Sequence, residues 1–174
     1  MRLAHPTPAV GHAPLTQVRQ APAGGVLWEI PDVRIRVSFL DRKGRLPAVS
    51  GINWGQREAL VRRSTGGPIM VRRRANEAYL SLKGESRREG FLPGRAIRFS
   101  LITDDGHSFD CVRAQQGEKA IETTDDNSVL GAYLRARIGV PAGAPVSRAD
   151  LDRYGRTDFT LEKLDPETFL LDLA

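Results

Sequence analysis

The sequence predicts a mainly β fold, a small closed or half-closed barrel carrying two or three short helices. Three observations predict it. About seven short segments read as strands, several of them alternating apolar and polar residues with period two. Only two segments carry clear helix starts, near Asp126 and Ser147. Strands and helices do not alternate as a parallel βαβ sheet would require.

The elements follow in order. Val33, Ile35, Val37 and Phe39 alternate with Arg34, Arg36 and Ser38, which makes a strand with one wet face. Asp41 to Gly44 is a turn. Residues 46–76 hold no sustained period and contain Pro47, Gly51, Gly55, Gly66, Gly67 and Pro68. They read as a long loop with a short strand at 68–71, and loops of this length in compact domains are usually functional. A strand is expected over 77–82 through Tyr79 and Leu82. A short helix is expected over 85–91, stopped by Pro93-Gly94. Ile97, Phe99, Leu101 and Thr103 alternate, and Asp105-Gly106 serves as a two-residue hairpin turn into 108–114. There Phe109 and Cys111 face one way, Asp110 and Val112 the other. Residues 119–124 form another strand.

The clearest helix spans 128–138, capped by Asp126 or Asn127 and ended by Gly139 and Pro141. Its apolar stripe is Val129, Leu130, Tyr133, Leu134 and Ile138, with Arg135 beside the stripe and Arg137 on the wet side. A second helix starts at Ser147, where Asp150 three residues on completes a capping box. Residues 156–164 and 168–173 are two final strands. Residues 1–25, rich in proline and alanine, are expected to be a flexible arm or linker. Residues 26–174 are expected to form the folded domain.

Charge narrows the function. Residues 41–100 hold 14 basic and 5 acidic side chains, a balance of +9, whereas residues 101–174 hold 8 basic and 14 acidic, a balance of −6. Nearly all of the cations between residues 34 and 98 are arginines, the residue suited to bidentate contact with phosphate or guanine. The single cysteine, Cys111, excludes an internal disulfide framework and a cysteine-based zinc site. No apolar run is long enough to span a bilayer. The expected setting is cytoplasmic.

Catalytic motifs are missing. The chain has no His-x-Lys, His-Glu-x-x-His, Cys-x-x-Cys, Gly-x-Ser-x-Gly or Walker-type loop. Asp104-Asp105 and Asp125-Asp126, with Lys119, are the residues a small Mg²⁺-dependent nuclease would use. A turn and a helix cap explain them more simply. His107 follows a turn without a positioned partner, and Cys111 reads as a small buried hydrophobe. No catalytic residue, metal or cofactor is expected, and the chain is not expected to be an enzyme.

The loop from 50 to 74 mixes amide, indole and guanidinium groups with glycines: Asn53, Trp54, Gln56, Arg57, Arg62, Arg63, Arg72, Arg73 and Arg74. Amides pair with adenine edges and arginines with guanine. The glycines are expected to let the backbone approach phosphate. Trp54 divides evenly between core anchor and surface. An RNA-binding or protein-interaction barrel is the other alternative. Single-strand readers use exposed aromatic platforms, however, and aromatics make up only 6% of this chain.

Five segments carry a resemblance. They are Gly-Ile-Asn-Trp-Gly-Gln-Arg at 51–57, Asn-Glu-Ala-Tyr at 76–79, Thr-Asp-Asp-Gly at 103–106, Lys-Ala-Ile-Glu-Thr-Thr-Asp-Asp-Asn-Ser-Val-Leu-Gly at 119–131 and Tyr-Gly-Arg-Thr-Asp at 154–158. In this order they resemble the C-terminal DNA-recognition domain of NgoFVII-type restriction endonucleases. Those enzymes pair it with a phospholipase-D-type nuclease domain, and it is similar to the B-three domain of plant transcription factors. The resemblance covers about residues 30–174 and implies a seven-stranded open β pseudobarrel that grips the major groove of double-stranded DNA between two arms. The first arm would be residues 50–74, with Asn53, Gln56 and Arg57 as its leading contacts. The second would lie around residues 115–127, with Gln115, Lys119, Thr123, Thr124, Asp125 and Asn127. The expected function is sequence-specific recognition within a restriction or defence system. A nuclease or methyltransferase is the expected partner, and the chain is expected to have no nuclease site of its own. The stretch between Arg57 and Asn76 is longer than the family pattern and adds arginines.

Overall fold

The structure, a computed structural model, describes residues 34–61, 65–84 and 90–174. The expected N-terminal arm lies outside the described residues, as does most of the helix expected over 85–91. The elements are β1 (Arg34–Ser38), a 3-10 helix (Gly51–Gln56), β2 (Glu58–Val61), β3 (Ile69–Arg72), β4 (Leu80–Ser81), β5 (Arg98–Thr103), β6 (Ser108–Ala114), β7 (Ala120–Thr123), α1 (Asn127–Ile138), α2 (Arg148–Tyr154), β8 (Asp158–Lys163) and β9 (Thr168–Asp172).

Seven strands make one curled sheet in the order β1-β8-β9-β5-β6-β7-β4, an open half-barrel. Every neighbouring pair is antiparallel except β5 with β9, which run parallel. Among the described residues, strands β2 and β3 pair only with each other. The open side is bridged just beyond β1 and β4, where Lys83 Nζ donates to the carbonyls of Leu40 (2.8 Å) and Ser38 (3.4 Å).

Alternation decides which face is buried. Phe99 and Leu101 of β5, Phe109 and Cys111 of β6, Phe159 and Leu161 of β8, and Phe169 and Leu171 of β9 all point into one core. Leu130, Leu134 and Ile138 of α1 and Leu151 of α2 belong to the same core. Phe169 lies at its centre, 5.3 Å from the Phe99 ring and 5.7 Å from Phe91. Burial of each such side chain contributes about 1.5–3 kcal/mol.

Most expected elements form, and the differences have local causes. The strand expected over 77–82 shrinks to two residues. Its preceding backbone is engaged elsewhere: Ala78 N donates to Asn127 O and Tyr79 N to Gly51 O. The hairpin between β5 and β6 has three loop residues rather than two. Thr103 N reaches His107 O, and Gly106 closes the turn at φ +89°, a backbone open to glycine. Asp126 caps α1, accepting from Ser128 N at 2.7 Å, and α2 opens with the Ser147–Asp150 capping box.

The face of α1 is rotated from the expected stripe. Val129 is 51% exposed, while Arg135 is fully buried. The helix packs partly on a polar loop, where backbone carbonyls replace water around the guanidinium.

Candidate nucleic-acid interface

The base of the segment expected as the first arm, residues 50–74, is a buried polar knot. Asn53 is 1% exposed, and its amide faces inward. Nδ2 donates to Val146 O (2.8 Å) and Pro47 O (3.1 Å), and Oδ1 accepts from Val146 N (2.8 Å). The half-buried Gln56 donates through Nε2 to Gly143 O (3.1 Å) and Ala75 O (3.3 Å). Asn76 Oδ1 accepts from Gly143 N at 2.7 Å.

Arg135 enters the knot from α1. It donates to the carbonyls of Ala144 (2.8 Å), Gly131 (3.0 Å), Ile52 (3.2 Å) and Asn76 (3.5 Å). No carboxylate pairs with it among the described residues, and burial pushes its pKa below the ordinary value. The loop at 141–147 is therefore a clasp that fixes both ends of the first arm to the helix.

The motif glycines serve this packing. A Cβ on Gly131 would stand 1.7 Å from Asn76 O, and one on Gly55 would stand 2.4 Å from Ala75 O. The close approach expected toward phosphate is here an approach to the chain's own backbone.

From the knot the arm rises as a ribbon. Strands β2 and β3 pair Glu58 with Arg72, Ala59 with Val71, Leu60 with Met70 and Val61 with Ile69. Only a short strand at 68–71 is expected from sequence; the structure adds its partner. Trp54, half-buried, packs edge-on to Tyr79 (5.3 Å) and carries the Arg73 guanidinium 3.7 Å above its ring. Arg73 also pairs with Glu77 (2.7 Å). Arg74 pairs with Asp126 (2.9 Å) and links the ribbon's foot to the second arm. Arg57 and Arg72 are exposed, and no acid pairs with them among the described residues. Arg62 and Arg63 lie outside the described residues.

The segment expected as the second arm is the turn after β6 together with β7 and the entry to α1. The turn has left-handed backbone at Gln115 (φ 64°), Gly117 (φ 72°) and Glu118 (φ 52°). Strain of this kind in non-glycine residues persists where the surroundings enforce it, often at functional loops. It leaves Lys119 exposed. Gln115 donates to Glu122 (2.8 Å), and so does Asn127 (3.3 Å). Thr123 is buried and donates to Asp126 O (2.7 Å). Thr124 is half-buried and Asp125 exposed. Asp126 is held below the usual carboxylate range, first by the backbone hydrogen bond from Ser128 and further by Arg74.

The other acidic pair sits in a separate cluster. Arg137 grips Asp104 (2.6 Å) and Asp105 (2.8 Å). Asp105 also accepts from Thr103 Oγ1 (2.5 Å) and Tyr133 Oη (2.9 Å) and lies 3.2 Å from His107 Nδ1. Its pKa is depressed, chiefly by the Thr103 hydroxyl. Arginines thus engage both members of the first acidic pair and Asp126 of the second. Burial raises the Cys111 thiol to about 12, consistent with an unreactive core residue. Among the described residues no group of three or more His, Cys, Asp or Glu side chains is placed to hold a metal. No described helix is long and apolar enough to cross a membrane.

Sequence reasoning missed the depth of Arg135 and the clasp at 141–147. A cation in the third turn of an apolar-striped helix was the available signal. No curated protein matches the chain at a significant level. A family model described as the NgoFVII C-terminal B3-like DNA-binding domain matches residues 29–165.

Proposed function

The chain belongs to the family of NgoFVII C-terminal B3-like DNA-binding domains, and we propose that it recognises a specific sequence in duplex DNA, gripping the major groove between its two arms as the recognition part of a restriction system. The family match over residues 29–165 carries this reading. The exposed cations support it.

In this reading Arg57 and Arg72 of the first arm and Lys119 of the second meet DNA, because they are exposed and have no acid partner among the described residues. Thr124 and Asp125 stand on the same rim. Asn53 and Gln56 position the first arm. The Arg74–Asp126 ion pair holds the arms in register with one another. Trp54 supports Arg73 through its ring face. Cleavage is the work of a partner nuclease, and a methyltransferase protects the host site.

Selection from a random-sequence duplex pool tests the reading. A short enriched motif, bound with steep salt dependence, is the expected result. Equal affinity for all duplexes would sink the specificity claim. Nicking of supercoiled plasmid with Mg²⁺, abolished by Asp104→Ala or Asp125→Ala, would overturn the assignment of cleavage to a partner.

A further inference from the structure

The ribbon β2–β3 has an apolar side that the proposed grip leaves unused. Leu60 and Met70 stand directly across from each other in the register and are 62% and 56% exposed. Val61, Ile69 and Val71 on the other face are 43%, 38% and 39% exposed. A two-stranded ribbon alone is marginally stable in water. Five exposed large apolar side chains on four residue pairs therefore call for a surface that covers them.

Charge identifies that surface. On the face of Leu60 and Met70 the next pair is Glu58 with Arg72, and Arg72 has no ion pair among the described residues. An apolar protein face would take both charges, Glu58 and Arg72, out of water although no ion pair joins them among the described residues. A DNA groove offers apolar methyl groups on its floor and phosphates on its walls. The ribbon's foot is also continuous with the proposed DNA surface through Arg57 and the Arg74–Asp126 pair. Its size fits: four pairs span about 10 Å, and a major groove about 12 Å wide admits a two-stranded ribbon. Methyl contacts in that groove come from the 5-methyl group of a pyrimidine, in thymine or 5-methylcytosine.

We infer that the β2–β3 ribbon reads pyrimidine 5-methyl groups in the major groove, with Leu60 and Met70 as the contacting side chains. This rests on the DNA-binding reading above. Arg57 and Arg72 hold the ribbon in the groove, and Leu60 and Met70 add a preference that amides and arginines do not supply.

The test uses the full chain and the duplex motif enriched from the random pool. Each thymine in turn is replaced by deoxyuridine, and each cytosine by 5-methylcytosine, with affinity measured by fluorescence anisotropy. Loss of one contacted methyl should weaken binding about four-fold, the value for one buried carbon of this size. The double variant Leu60→Ser, Met70→Ser should bind thymine and uracil duplexes alike and keep the wild-type salt slope. The wild-type comparison stands even if that variant misfolds. Equal wild-type affinity for all methylated and unmethylated duplexes would overturn the inference and leave sequence-specific binding intact. Self-association of the wild type, lost in the double variant and accompanied by indifference to methyl groups, would overturn it in favour of a protein interface. Failure to bind any duplex would remove the underlying DNA-binding reading instead.

Discussion

The foot of the first arm and the ribbon above it are adjacent in sequence and opposite in character. In the foot, the Asn53 and Gln56 amides and the Arg135 guanidinium are engaged by backbone groups, and Asn53 and Arg135 are out of water. In the ribbon, Leu60, Met70 and Arg72 are exposed, and no acid pairs with Arg72 among the described residues. The difference teaches that residue types suited to reading bases also serve to hold a loop in one shape. A buried polar network with its members satisfied rigidifies the backbone that carries it. A reading surface must instead leave donors unpaired until DNA arrives.

The largest test of this contrast is Arg135→Met. It leaves up to four carbonyls without their donor, each costing about 1–3 kcal/mol when it stays dry. A loss of about 3–5 kcal/mol in urea denaturation is expected, with a fragile or unfolded product. Wild-type stability would show that the knot is not what holds the arm. Next comes Asn53→Ala, which strands Val146 N and two carbonyls. It should cost about 2–4 kcal/mol of stability, whereas a stable variant with altered base preference would place Asn53 among the readers.

In the ribbon the expectation reverses. Arg72→Ala should change stability by no more than about 0.5 kcal/mol. It should weaken DNA binding by about 1–3 kcal/mol if it contacts a base, or reduce the salt slope by about one if it contacts phosphate.

The smallest effect is with pH. Asp105 and Asp126 are depressed by their hydrogen bonds, and Asp150 is lowered to about 2, first by the Ser147 hydroxyl. A carboxyl depressed in the folded state stabilises above its unfolded value, about 3.9, and that contribution is lost as pH falls through the folded value. The melting temperature should therefore hold from neutrality to about pH 5 and decline only below about pH 4. A decline beginning near pH 6 would point to a histidine rather than to these carboxylates.

Much of the fold is legible in the sequence because period two and cap chemistry are local signals. The alternation of Phe99, Leu101 and Thr103, and of Phe109 and Cys111, gives the buried faces directly. The Asp126 cap and the Ser147–Asp150 box mark both helix starts. The candidate interface is less legible. Arg135 looks like a surface cation because two of the carbonyls that accept from it, those of Ile52 and Asn76, are distant in sequence. Strand β2 hides because Glu58-Ala-Leu-Val has no alternation of its own and is fixed only by pairing with β3. Gly55, in the loop, suggests a ligand's approach, and only the tertiary structure reveals the backbone of Ala75 there instead.

The most direct test of the contrast is the ratio of affinities for the selected duplex and a scrambled one, measured together with folding stability for Arg72→Ala and Gln56→Ala. The expected result is a collapsed ratio at unchanged stability for Arg72→Ala, and a retained ratio at lowered stability for Gln56→Ala. A fully stable Gln56→Ala that loses discrimination, beside an Arg72→Ala that keeps it, would contradict the account.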